Sequence, residues 1–94
     1  MRWVVLGMVL NEEIYCETSL KSIYDFADSI YIVSGANKYA YWANPYGLSS
    51  DRTSEIIKDF PDPENKLHYY EMGWIPSKRE LRNAALRTAE YKED

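Results

Sequence analysis

Positions 3–10 of the chain, Trp3-Val4-Val5-Leu6-Gly7-Met8-Val9-Leu10, are apolar almost without a break. A short run rich in Val and Leu predicts a strand covered on both faces of a parallel sheet. Asn11 follows and is positioned to cap a helix, with Glu12 and Glu13 in its first turn. Cys16, Leu20, Ile23 and Ala27 recur at helical spacing and form one apolar stripe. Ile30-Tyr31-Ile32-Val33 predicts a second strand over Ser29–Ser34, ended by Gly35. Residues 36–49 carry Asn37, Asn44, Pro45, Gly47 and Ser49, and read as a loop that is long for a compact domain. Ser49, Ser50 or Asp51 caps a second helix over Arg52–Phe60, which turns Ile56, Ile57 and Phe60 inward. Pro61-Asp62-Pro63 stops it.

Lys66–Glu71 predicts a third strand, polar enough to lie near an edge. Ser77-Lys78-Arg79-Glu80 is a capping box. The helix it opens carries Leu81, Ala84, Ala85 and Thr88 on one face. The order is β-α-β-α-β-α, which implies three parallel strands in a three-layer α/β/α arrangement with right-handed crossovers, a truncated Rossmann-like unit. No repeat, linker or low-complexity stretch divides the chain, so residues 1–94 read as one domain.

Composition narrows the functional classes. The chain has 94 residues, 46% hydrophobic and 28% charged, with a formal charge of −4 and no dense basic run. Binding through phosphate neutralisation is disfavoured, so no nucleic-acid partner is expected, nor a polybasic membrane anchor. The apolar start is too short to span a bilayer and lacks a small-residue cleavage site, so it reads as a strand rather than a signal peptide. Cys16 is the only cysteine and His68 the only histidine. An internal disulfide is impossible, no Cys/His zinc spacing exists, and the expected compartment is the reducing cytoplasm. Both residues lie within predicted regular elements and read as structural. Asp62-Pro63-Glu64 sits in a proline-rich turn and Glu93-Asp94 at the chain end, so neither is taken as a metal site.

Ligands of open α/β sheets bind at the carboxyl ends of the strands. Three segments fall there: Leu10-Asn11-Glu12, Ser34-Gly35-Ala36 and Gly73–Lys78. Leu10-Asn11-Glu12 is either a plain helix cap or a contact for a base or ribose. Ser34-Gly35 is either a turn or a place of close ligand approach. After the third strand, Lys78, Arg79 and Arg82 gather at a helix start, where carboxylates are normally preferred. A bound diphosphate or a solvated ion-paired face explains this equally well. Neither G-x-G-x-x-G nor G-x-x-x-x-G-K-[ST] occurs. The aromatic residues Tyr39, Tyr41, Trp42 and Tyr46 can stack on sugar rings, cover a thin core or meet a partner.

Taken together, several segments resemble the N-terminal half of family 2 glycosyltransferases, which have the GT-A nucleotide-sugar-binding fold. They are the apolar strand ending in Asn11-Glu12-Glu13, Ser22–Asp28 followed by Ser29–Val33, Ser50-Asp51-Arg52-Thr53 with Glu55-Ile56-Ile57, and Lys78–Leu86. The resemblance covers nearly the whole chain, with 36–49 as an insertion. It implies that Leu10, Asn11 and Glu12 line a nucleoside pocket. It places Ser34, beside Gly35, where the family usually has an acidic base-binding residue. It makes Asp51 a shaper of the pocket, and sets Lys78, Arg82 and Asn83 near the donor diphosphate.

The family continues into a strand ending in Asp-x-Asp, which holds Mn²⁺ or Mg²⁺, and then into the acceptor half with its catalytic base. The chain carries neither motif. The expectation is therefore a nucleotide diphosphate sugar as ligand, glycosyl transfer by inversion in the whole enzyme, and no turnover by this chain alone. In that fold the first strand is central. Its far edge would here lie bare, which predicts self-association through residues 3–10. The alternative is a non-catalytic α/β module that uses the aromatic loop 39–46 for a partner or glycan.

Overall fold

The structure, a computed structural model, describes residues 3–37 and 43–93. The predicted aromatic positions Tyr39, Tyr41 and Trp42 lie outside the described residues, as does Asp94. The elements run β1 (Val4–Val9), α1 (Cys16–Tyr24), β2 (Ser29–Ala36), α2 (Thr53–Lys58), β3 (Leu67–Trp74) and α3 (Lys78–Glu93). The strands form one parallel sheet in the order β1-β2-β3. Val4 pairs with Ser29 and Val9 with Ser34, while Ile30 pairs with Leu67 and Ser34 with Glu71.

The α/β reading holds, and the three layers follow from side-chain alternation on β2. Ile30 and Ile32 face α1 and α2, where Cys16, Leu20, Tyr24, Ala27 and Ile57 complete a buried cluster. Val33 faces the other way, onto Leu81 and Ala85 of α3. Ile30, Val33 and Ile57 are fully enclosed, each contributing about 1.5–3 kcal/mol of burial. Cys16 is a core residue, and His68 stacks on Tyr31 with ring centroids 4.6 Å apart.

Several boundaries and one burial expectation are corrected. β1 is an edge strand covered fully on neither face: α3 packs across both β2 and β1 but leaves the Val4, Leu6 and Met8 face partly open, and no strand lies beyond it among the described residues. Val4, Leu6 and Met8 are accordingly 36–40% exposed. β2 does not stop at Gly35 but continues to Ala36 through a bulge between Ser34 and Gly35. The reason is close packing: a Cβ on Gly35 would stand 2.7 Å from the carbonyl oxygen of Gly73. β3 runs three residues past Glu71, so Gly73 and Trp74 belong to the strand. α2 is shorter than predicted at both ends. Asn11 is not the cap of α1, which starts only at Cys16, with Tyr15 at the N-cap and no side-chain capping bond.

At the opposite end of the sheet, Asp62 organises the approach to β3. Its carboxylate accepts hydrogen bonds from the Lys66 and Leu67 amides (2.8 and 2.9 Å) and from the Tyr24 hydroxyl (2.6 Å). The Lys66 ammonium donates to the Tyr24 carbonyl (2.6 Å) and pairs with Glu64 (3.1 Å). The α1 end is thereby locked onto the start of β3, and the carboxylates of the Asp62-Pro63-Glu64 turn are engaged by protein groups.

Candidate functional site

The carboxyl ends of the strands carry the β1–α1 turn, the loop entering α2 and the start of α3. Asn44 folds the loop on itself. Its side-chain oxygen accepts from the Tyr46 and Leu48 amides (2.8 and 3.1 Å), and its amide group donates to the Ser49 carbonyl (3.3 Å). This is an Asx-type turn, in which a short polar side chain replaces a backbone partner. Gly47, at φ +75°, packs against the β3 backbone, and Trp74 Nε1 donates to the Pro45 carbonyl at 2.9 Å. One end of the loop is thus pinned to β3.

The other end is stitched to the β1–α1 turn. Asn11 takes a left-handed conformation (φ 54°), tolerated by Asn better than by most residues. Its amide N–H donates to Ser49 Oγ (2.9 Å), its side-chain oxygen accepts from the Ser50 amide (2.8 Å), and its side-chain nitrogen donates to Ser50 Oγ (3.3 Å). The Glu12 amide donates to Thr53 Oγ1 (2.7 Å) and the Glu13 amide to Asp51 Oδ2 (3.2 Å). In return the Arg52 amide donates to Glu13 Oε1 at 2.8 Å. Asp51 also accepts from the Thr53 amide (2.9 Å) and hydroxyl (2.5 Å). Partial burial tends to raise the Asp51 pKa, but these hydrogen bonds outweigh it and hold the carboxyl below its usual range.

This network has a chemical consequence. The N–H groups of Asn11, Glu12 and Glu13 point at protein oxygens, so the β1–α1 turn is a stitched corner rather than an open anion cradle. Asn11 and Asp51 act on each other's loops. Leu10 is half-buried beside them, while the Glu12 side chain is exposed. Sequence reasoning ranked Asn11 as a cap. Its actual partners lie 38–39 residues downstream, a distance at which spacing carries no signal.

Ser34 lies at the carboxyl end of β2, on the α1/α2 face by alternation with Ile30 and Ile32. It is fully buried and its hydroxyl has no hydrogen-bond partner among the described residues. A buried hydroxyl without a partner carries its full desolvation cost. Ser34→Ala is therefore expected to raise stability by about 1 kcal/mol, read as a higher urea midpoint at unchanged slope. A lowered midpoint would reveal a protein partner for the hydroxyl.

The start of α3 differs from the stitched corner. The Ser77 hydroxyl accepts from the Glu80 amide (3.3 Å), which bears out half of the capping box. Lys78, Arg82 and Asn83 are exposed, and none has a hydrogen-bond or ion-pair partner among the described residues. Gly35 lies beside this helix, since a Cβ there would stand 3.2 Å from Leu81 Cδ1. The structure thus divides the expected site. Asn11, Glu12 and Asp51 form one cluster on the α1/α2 side, while Lys78, Arg82 and Asn83 form another on α3.

Trp74 falls within the Gly73–Lys78 segment that the sequence places after the third strand, and the structure makes it the last residue of β3. It is half exposed, and Tyr46 is 76% exposed on the neighbouring loop. Among the described residues no three His, Cys, Asp or Glu side chains converge to hold a metal ion, and no helix is long and apolar enough to cross a membrane. No protein-family model, curated protein or solved structure matches the chain.

Proposed function

We propose that the chain binds the diphosphate of a nucleotide diphosphate sugar, as the donor-binding half of a glycosyltransferase resembling family 2. The observation that carries this reading is the cationic start of α3, where Lys78 and Arg82 stand exposed and without a counter-charge at the carboxyl end of the sheet. The positive end of the helix dipole adds to them, and a diphosphate would neutralise all three. Asn83 offers an amide to a phosphate or ribose oxygen. The stitched corner of Asn11, Glu12 and Asp51 holds the opposite wall in place. The Mn²⁺ or Mg²⁺ that the resemblance implies is assigned to no residue of this chain, and neither is a catalytic step.

Isothermal titration with UDP, GDP and their sugars in the presence of Mn²⁺ is the test. At least one should bind, and Arg82→Ala should weaken that binding by roughly ten- to a hundred-fold, the loss of one charge-assisted contact of about 1.5–3 kcal/mol. Absence of heat with all of them refutes the proposal. The exposed Trp74, whose indole is fixed by its bond to Pro45, favours a second reading as a module that binds a partner or glycan through aromatic surface. Binding of a glycan that survives Arg82→Ala but not Trp74→Ala would favour that reading.

A further inference from the structure

An indole half open to solvent is fixed at the carboxyl end of the sheet. Trp74 closes β3 and is 50% exposed. Its Nε1 donates to the Pro45 carbonyl at 2.9 Å. Gly47 lies so close that a Cβ there would stand 2.8 Å from the ring-junction carbon Cδ2. Gly73, at φ +74°, lets the Tyr46 carbonyl approach until a Cβ would stand 2.8 Å from its oxygen. Glycine is the residue that tolerates both the positive φ and the close approach. The turn that grips the ring is itself braced, because Asn44 accepts from the Tyr46 and Leu48 amides. A ring held this way gives up little freedom when a flat ligand settles on it, so more of the contact appears as affinity.

The position of this ring relates it to the cations of α3. Ile75 packs with Val33 and Leu81 on the α3 side, and its amide donates to the Ala36 carbonyl at 2.9 Å. Trp74 turns the other way, onto the loop that enters α2. Between the two sides Gly35 pairs with Gly73, two residues without side chains. Lys78 follows Trp74 by four residues, so their Cα atoms are at most about 14 Å apart. A lysine side chain and a ribose-linked diphosphate together cover that span.

The polar groups on the α1 side are already engaged. The Asn11, Glu12 and Glu13 amides donate to Ser49, Thr53 and Asp51, and Ser34 is enclosed. A nucleoside whose diphosphate rests on Lys78 and Arg82 therefore meets an aromatic ring rather than a row of donors.

We propose that Trp74 is the stacking platform for the nucleobase, and that the donor is a purine nucleoside diphosphate sugar. This rests on the diphosphate reading above and adds which nucleoside is bound and what holds it. Every base has a π-face, and the two fused rings of a purine overlap an indole more fully than one pyrimidine ring does. The test is isothermal titration of the full chain with inorganic pyrophosphate, ADP, GDP and UDP in Mg²⁺ buffer, for wild type, Trp74→Ala and Trp74→Phe. ADP and GDP should each bind about fivefold or more tighter than UDP. Trp74→Ala should weaken ADP and GDP by roughly ten- to a hundredfold and leave pyrophosphate unchanged, with Trp74→Phe between. Melting curves report whether each variant folds, and Trp74→Phe, which keeps a ring, carries the comparison if alanine releases the loop. UDP binding as tightly as the purine nucleotides, or a purine affinity unmoved by both variants, overturns the platform. Pyrophosphate binding in that case leaves the diphosphate reading standing, and no binding of any of the four removes both. A phosphate-free oligosaccharide that binds wild type but not Trp74→Ala gives the ring to a glycan and overturns its assignment to a base.

Discussion

Gly47→Ala is expected to destabilise the protein by about 2–5 kcal/mol, combining backbone strain with a steric collision. At φ +75° a side chain is strained before any neighbour is considered. A Cβ there would also strike the Trp74 amide nitrogen, and would lie 2.7 Å from the Gly73 carbonyl carbon and 2.8 Å from a Trp74 ring atom. Two of these atoms are β3 backbone, and no rotamer change can move them. The loop must therefore leave β3, and with it goes the bond from the Trp74 indole to Pro45. Melting should fall by about 10 °C or more for a chain of this size. Amide exchange should quicken from Asn44 to Ser50 before it quickens in β2. An unchanged melting temperature would show that the loop is not packed on the strand.

Asp62→Asn is expected to remove about 2 kcal/mol and to flatten the acid limb of the stability curve. The amide keeps the size of the carboxylate but turns one acceptor into a donor. It therefore cannot receive the Lys66 amide, the Leu67 amide and the Tyr24 hydroxyl together. Partial burial works to raise the Asp62 pKa. The bond from Tyr24, followed by those from the Leu67 and Lys66 amides, outweighs it and holds the carboxyl below its ordinary 3.8. A group with a lowered folded pKa adds stability above its unfolded pKa and loses it as pH falls through the folded value. Wild type should therefore lose stability below about pH 4, whereas Asp62→Asn should lose less over the same range. Asp51, also lowered, adds acid sensitivity of the same sign. Denaturant midpoints for both proteins at neutral and acid pH check this, and parallel acid limbs would contradict it.

Both effects act at positions whose importance depends on distant partners. Asp62 read as part of a proline-rich stop, and its role as the clasp between α1 and β3 follows from Tyr24, 38 residues earlier. Gly47 read as loop punctuation, and its contact with Trp74 depends on how far β3 extends. By contrast, the apolar stripe of α1, the Ile30–Val33 core and the Leu81/Ala85 face of α3 were legible directly. Period and burial are properties of neighbouring residues.

The candidate site divides along the same line. The Lys78/Arg82/Asn83 group sits on one helix, and its spacing alone shows that it shares a helix start. The corner of Asn11, Glu12, Asp51 and Thr53 is assembled from segments about forty residues apart. Sequence could name the members but not their mutual hydrogen bonds.

By itself the sequence determined the element order, the parallel α/β class and the core stripe of each helix, because these arise from local periodicity and from the crossovers that parallel strands require. The tertiary structure decided that, among the described residues, β1 lies at an edge with its α3-side face only partly covered, that Asn11 serves the α2 loop instead of capping α1, and that Ser34 is enclosed without a partner. Each of these depends on which distant segment occupies the neighbouring space, and no periodicity along the chain encodes that.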